Sequence, residues 1–393
     1  MADTHQMEAA LRGVIDPELG ADIVSLGMVQ GIDLAEGRAT VRLALTMAAC
    51  PLRRQIEGGV VRKLQAIPGV IAVEVAVVTM TPAQRAELME RARRRTRERA
   101  AATMVSPLTR VVAVGSGKGG VGKSSLSVNL AVALALAGRR VGLLDADIWG
   151  FSVPRLLGLG GSRLSAGPDG KILPIEAGGM QLVSTGLLLD DEDRALLWRG
   201  PMLSKALEQF LRDVAWDPAL DYLILDLPPG TGDVQLSLAR LLPQAELVVV
   251  TTPQRAAQRV AQRVADMARR SLLPVVGVIE NMSGFTTEDG RHYDLFGRGG
   301  GQELADGLGV PLLGRVPIDP FIVEGGDQGR PVVSAHPEAP SARAIVATAE
   351  RLVELLPPAD AETCSARITL LAEQLATRQK FLPPLPGGTG RIH

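Results

Sequence analysis

The chain has 393 residues, 46% hydrophobic and 22% charged, which is enough for two or three folded domains with substantial cores. A formal net charge of -1 argues against nucleic acid as an obligatory partner, because phosphate backbones select for a surplus of cations. Two cysteines exclude a disulfide framework, and one chain cannot furnish four thiolates.

No apolar run reaches the length of a membrane span, and the opening Met-Ala-Asp-Thr-His is not a basic segment followed by an apolar one. A soluble, cytoplasmic protein with no membrane partner is the expectation.

Residues 5–81 read as a small α+β domain. A helix is predicted over 6–14, then strands over 29–34 and 39–45 joined by the turn-forming Glu36-Gly37. A second helix over 52–66 carries Ile56, Val60, Val61 and Leu64 on one face, and 70–78 alternates as a third strand. Cys50 stands where strand hands over to helix. Its residue type leaves two readings open: a buried apolar cysteine, or a thiol whose pKa a helix N-terminus depresses enough for thiolate chemistry.

Residues 82–108 read as a charged helical linker, with Arg91, Arg93, Arg94, Arg95, Arg97 and Arg99 interrupted by Glu90 and Glu98. Without interleaved aromatics, a solvated connecting helix is expected rather than a nucleic-acid or acidic-partner patch.

From 109 to 356 apolar strands alternate with amphipathic helices, the pattern of a mostly parallel, doubly wound α/β sheet covered on both faces. Strands are predicted at 111–114, 141–145, 182–184, 223–226, 247–251, 275–280 and 311–316. After the first strand comes Gly-Lys-Gly-Gly-Val-Gly-Lys-Ser at 117–124, the phosphate-loop pattern in its strand-loop-helix setting, with the helix expected over 125–137. Gly117, Gly119, Gly120 and Gly122 free the backbone to bring N–H groups close to phosphate oxygens, and the helix N-terminus points the same way. The backbone from Gly117 through Val121 to Ser125 is therefore the expected ATP cradle. Lys123 would reach the β- and γ-phosphates and Ser124 would supply an oxygen to Mg²⁺. Only six lysines occur in the chain, and Lys118 and Lys123 both fall in this loop, where a compact ammonium suits phosphate better than a planar guanidinium.

Ligands of such sheets bind at the carboxyl ends of strands. There Asp145 and Asp147 follow one strand, and Asp226 follows another as the aspartate expected to hold Mg²⁺ through water. The Pro228-Pro229-Gly230 loop follows, and the Gly230 N–H is expected to meet the γ-phosphate and switch on hydrolysis. A C-terminal tail, 357–393, holds Cys364 and an amphipathic helix predicted over 368–379.

The loop Gly-Lys-Gly-Gly-Val-Gly-Lys-Ser, with its early Lys118, resembles the deviant phosphate loop of the MinD, ParA, nitrogenase iron protein and Mrp group. The resemblance implies that Lys118 crosses a homodimer interface to the other subunit's nucleotide. Trp198-Arg-Gly-Pro-Met202, Asp226-Leu-Pro-Pro-Gly-Thr-Gly-Asp233, Glu280-Asn-Met-Ser283 and Asp294-Leu-Phe-Gly-Arg-Gly-Gly-Gly301 are similar to the Mrp/ApbC iron-sulfur cluster carrier ATPases. Asp16-Pro-Glu-Leu19, Asp22 to Gly27 and Thr46 to Pro51 resemble the iron-sulfur assembly domain fused ahead of them. Together the resemblance covers residues 5 to about 355.

It implies a homodimeric, ATP-hydrolysing carrier that passes a [4Fe-4S] cluster to apo iron-sulfur proteins. It puts Asp145 and Asp147 in the first switch region, with Asp147 positioning the attacking water and Asp145 near the metal, and it puts Asn281 and Asp319 beside the adenine. The family's C-x-x-C after Asn-Met-Ser is missing here, where the chain reads Phe285-Thr-Thr-Glu-Asp-Gly290. Threonine and carboxylate oxygens are poor ligands for such a cluster. Three readings stay open: a cluster held through Cys50 or Cys364 of two subunits, transfer by the Cys50 domain alone, or a cluster-free nucleotide-switched adaptor.

Overall fold

A computed structural model describes residues 3–17, 19–46, 52–99, 102–147, 150–188, 200–230, 233–287 and 289–359. Contacts divide the chain into two compact units, Met1–Ala100 and Ala101–His393.

In the first unit, helix α1 (Thr4–Leu11) is capped by Asp3, whose carboxylate accepts the Gln6 N–H at 2.6 Å. Strands β1 (Val29–Ala35) and β2 (Arg38–Leu45) form an antiparallel hairpin. Its two-residue turn, Glu36-Gly37, has φ of +49° and +77°, the left-handed pair that matches strand twist. Ala39, Val41 and Leu43 alternate inward from β2. Helix α2 (Arg53–Gln65) buries Ile56, Val60 and Leu64, one row at i, i+4, i+8. Strand β3 (Ala72–Thr79) pairs parallel with β2 and closes the order β1-β2-β3.

The segment expected to be a solvated connecting helix is helical as α3 (Pro82–Arg99), with a narrow buried stripe that anchors it. Thr81 Oγ accepts the Gln84 N–H and Gln84 Oε1 accepts the Thr81 N–H, a reciprocal capping box. Leu88 and Ala92 are buried. Arg95 donates to Asp22 at 2.7 Å. Burial alone would raise the Asp22 pKa, but the Arg95 guanidinium and the Ser25 amide outweigh it and hold the carboxyl below its ordinary value. Residues past 101 belong to the second unit: Val105 is buried in its core, and the Met104 N–H donates to Leu211 O.

The second unit is built on an eight-stranded sheet. Its strands are β4 (Arg110–Ser116), β5 (Val141–Asp145), β6 (Ile175–Ala177), β7 (Met180–Ser184), β8 (Tyr222–Asp226), β9 (Glu246–Thr251), β10 (Val275–Asn281) and, beyond a small hairpin of β11 (Phe285–Thr286) and β12 (His292–Tyr293), β13 (Leu312–Val316). The order is β6-β7-β5-β8-β4-β9-β10-β13, parallel throughout except for the antiparallel pair β6-β7.

Both faces are covered, which is why the strands read as unbroken apolar runs. Val112, Val114, Leu143 and Ile224 face helices α4 (Lys123–Leu136) and, late in the chain, the helix Pro340–Leu355. Val111, Ala113, Leu144 and Leu225 face the other way, toward the helices Gly200–Asp213, Asp233–Leu241, Arg255–Arg270 and Gly300–Leu308. After Pro340–Leu355 the backbone is held at the amino ends of the central strands, where Tyr222 donates to Leu356 O at 2.7 Å and Arg110 to Pro357 O at 2.8 Å. No helix among the described residues is long and apolar enough to cross a membrane.

Candidate functional site

The loop between β4 and α4 sits at the carboxyl end of the central strand. Gly120 and Gly122 have φ of +75° and +78°, where an L side chain is strained. A Cβ on Gly117 would lie 2.5 Å from the Val260 carbonyl carbon, so only glycine lets the neighbouring helix pass this close. Gly119 and Gly120 have no neighbour within 4 Å of a built Cβ, leaving their backbone open to a ligand. Helix α4 begins at Lys123, two residues earlier than expected. Its N-cap, Gly122, offers no side-chain acceptor to the first-turn N–H groups, which is the setting of an anion site.

Asp226 is the hub. Fully buried at the tip of β8, it accepts hydrogen bonds from Lys123 Nζ (2.8 Å), Ser124 Oγ (2.5 Å) and Ser127 Oγ (2.7 Å). Asp145 is its register partner on β5. It accepts from Ser184 Oγ at 3.0 Å and from the Asp147 N–H at 3.1 Å. Burial first, and then the nearby Asp226 charge, push the Asp145 carboxyl up to about 8. Asp147 Oδ2 lies 3.9 Å from Lys123 Nζ. One ammonium thus faces three carboxyls. The Ser124 hydroxyl and the Asp226 carboxylate form a hard-oxygen pair of the kind Mg²⁺ takes alongside phosphates and water.

Lys118 Nζ donates to Gln254 Oε1 of its own chain at 3.3 Å, while Lys118 O accepts from Ser116 Oγ. The Gly230 N–H, expected to face a phosphate, here donates to Ser116 O at 2.8 Å, and Gly230 O accepts from Gln235 Nε2. Asn281 does reach the loop: its Nδ2 donates to Val121 O at 2.9 Å. Asp319 is engaged within the chain. It caps the helix Pro320–Asp327 through the Phe321 N–H and accepts from both the N–H and the Oγ of Ser341.

Ser127, Ser184, Gln254 and Ser116 join the site without having been singled out. Ser127 alone carried a signal, being four residues past Lys123 on one helix face.

Cys50, Cys364, Trp198 and the tail helix over 368–379 lie outside the described residues. Where the family's C-x-x-C would fall, the β11-β12 hairpin is exposed. His292 links Thr286 Oγ1 (3.0 Å) to Asp294 Oδ1 (3.1 Å) there. Among the described residues no group of three or more His, Cys, Asp or Glu side chains is placed to hold a metal ion.

Comparison with known proteins agrees with this geometry. Residues 107–353 match the family model for NUBPL iron-transfer P-loop NTPases, and residues 4–77 match the model for iron-sulfur cluster assembly proteins. The chain is 48% identical over 345 residues to the iron-sulfur cluster carrier protein of Deinococcus radiodurans, covering 87% of this chain and 93% of that one. It is 44% identical over 357 residues to the carrier of the same name from Synechocystis, covering 90% and 97%. Among solved structures it is similar to a nucleotide-binding protein from Archaeoglobus fulgidus in complex with ADP, 33% identical with a TM-score of 0.50 over 61% of this chain and 91% of that one.

Proposed function

Because this chain belongs to the NUBPL iron-transfer P-loop NTPase family and carries an iron-sulfur cluster assembly domain ahead of the NTPase domain, we propose that it is an ATP-hydrolysing carrier that delivers iron-sulfur clusters to apoproteins. The observation that carries the nucleotide half is the Lys123-Asp226-Ser124 contact at the mouth of an open glycine loop.

ATP enters with its phosphates against the N–H groups of 117–125. Lys123 then exchanges Asp226 for phosphate oxygens, and Asn281 exchanges Val121 O for adenine. Ser124 and Asp226 are the residues that would hold Mg²⁺, which would supply charge neutralisation at the phosphates. Asp147 orients the attacking water, with Asp145 donating or accepting a hydrogen bond beside it. Gly230 leaves Ser116 for the γ-phosphate, so the loop after β8 registers whether ATP or ADP is bound. Lys118 leaves Gln254 and reaches across a homodimer to the partner's phosphates. Turnover is slow and occurs in the cytoplasm. The cargo, a [4Fe-4S] cluster, takes its four thiolates from Cys50 and Cys364 of two subunits, since the hairpin offers none.

That hairpin also favours a second reading: a nucleotide-switched adaptor that binds partner proteins without a cluster. Anaerobic purification and reconstitution with iron and sulfide separate the two. Bound iron and a visible absorbance band, both lost in Cys50→Ala, support the carrier. A colourless, iron-free protein that still dimerises with ATP sinks it.

A further inference from the structure

Strand β13 is an outer strand of the eight-stranded sheet, with the helices Gly300–Leu308 and Pro340–Leu355 packed on opposite sides of it. A cavity of about 470 Å³ is lined by this strand and by both helices. Leu312 and Gly314 come from the strand and Gln302 from the first helix. Ala344, Ala347 and Arg351 come from the second, where offsets of three and four residues put them on one face. The two alanines leave room that longer side chains would fill. Arg315 and Arg351 supply the charge, and among the described residues no acidic side chain lines the cavity. Arg351 Nη1 donates to Leu313 O at 2.7 Å, which covers a carbonyl of the outer strand and fixes the guanidinium. Arg315 Nη2 donates to Gln302 Oε1 at 3.3 Å, and its Nε stands 3.6 Å from the buried Glu280 carboxylate. Glu280 is shared with Ser283 Oγ and the Gly301 N–H, so it offsets the Arg315 charge only in part. Asp306, outside the lining, accepts from Gln302 Nε2 at 2.8 Å.

We propose that this cavity binds a small organic anion, its carboxylate or phosphate held by Arg315 and Arg351 and its carbon skeleton laid against Leu312, Ala344 and Ala347. A planar guanidinium presents paired N–H groups at the spacing of two carboxylate or phosphate oxygens. One already held by a backbone carbonyl also loses less freedom when the anion arrives. The volume is that of a small-molecule site, and an apolar wall with a few convergent polar groups is the lining such sites have. An added β-strand is the poorer occupant, because Arg351 already covers the Leu313 carbonyl. None of the lining side chains belongs to the nucleotide site, so anion binding here depends on neither ATP turnover nor cluster delivery.

The test is calorimetric titration of the full-length chain, saturated with ADP and Mg²⁺ so that added anions do not report on the phosphate loop. Succinate and glycerol phosphate are the probes, each titrated separately. Saturation by succinate alone identifies a carboxylate ligand, saturation by glycerol phosphate alone a phosphate ligand, and either supports the site. Saturation by neither overturns it. Arg351→Ala should weaken the bound probe about tenfold or more, and Arg351→Lys should restore little, since an ammonium cannot hold Leu313 O and a planar anion together. Ala347→Leu fills the cavity while leaving every charge in place, and should weaken binding about as much. Melting curves check that each variant folds. If Arg351→Ala lowers affinity and Ala347→Leu does not, the anion sits on an exposed guanidinium outside the cavity and the site is overturned. Undiminished binding in Arg351→Ala overturns it as well.

Discussion

Two regions at the carboxyl end of the same sheet could hardly differ more. At the phosphate loop, Asp226 takes three hydrogen bonds in complete burial, and each neighbour is itself tied down. A few strands away, the β11-β12 hairpin is exposed along Arg291 to Arg298, and its polar contacts are local and solvent-facing. The first is hydrogen-bonded around a buried aspartate, its Lys123, Asn281 and Gly230 N–H held by partners within the chain. The second holds nothing that would grip a soft metal cluster. The chain thus pairs a phosphate loop bonded to a buried aspartate with an exposed hairpin that contains no cysteine.

The largest effect should come from breaking the well-bonded side. Lys123→Ala is expected to weaken ATP binding at least ~100-fold, as titration calorimetry would record. Circular dichroism checks the fold, since the change leaves Asp226 without its cation. Lys118→Ala should slow hydrolysis by more than ~10-fold while binding changes far less; equal losses in both would remove Lys118 from the partner's site.

Gly122→Ala comes next. A Cβ there would lie 2.2 Å from Asn281 Nδ2 in a backbone at φ +78°, so a stability loss of about 2 kcal/mol or more is expected in denaturant unfolding.

A subtler effect concerns pH. Asp145 keeps its proton to about pH 8 when folded and only to about pH 4 when unfolded. The folded, nucleotide-free protein therefore holds an extra proton between those values, and its stability falls as pH rises through that window, levelling above about 8. Asp145→Asn should flatten that fall in melting temperatures taken from pH 5 to 8.5. An unchanged slope would mean that Asp145 is ionised in the native state.

The smallest expected effect sharpens the contrast from the exposed side. His292→Ala combined with Asp289→Ala should leave iron content after anaerobic reconstitution unchanged. A measurable loss would make the hairpin a ligand after all.

Much of the nucleotide end was legible because its chemistry is local. A glycine loop with two lysines, and aspartates just past apolar runs, declare themselves within ten residues each. The partners that complete it come from far along the chain: Gln254 lies 136 residues from Lys118, and Ser184 lies 39 from Asp145. A serine or glutamine at a strand end carries no signal of its own.

The reading of 82–108 had the helix but not what anchors it, for the same reason. Arginines dominate α3, the buried Leu88 and Ala92 make a narrow stripe, and the Asp22 that meets Arg95 is 73 residues away. The Ser341 that engages Asp319 is likewise remote, 22 residues on, and the Asp319 position after a strand did not announce it.

Tyr222 and Asp226 are the two ends of one five-residue strand, about 13 Å apart by strand rise. The backbone at Leu356 is moored to the first, while nucleotide chemistry gathers at the second. Whatever follows residue 359 therefore starts from the floor of the domain rather than its mouth. A dye or affinity handle attached there would ride with the rigid sheet through every nucleotide cycle. It would offer a fixed reference against which the movements of the loops above could be measured.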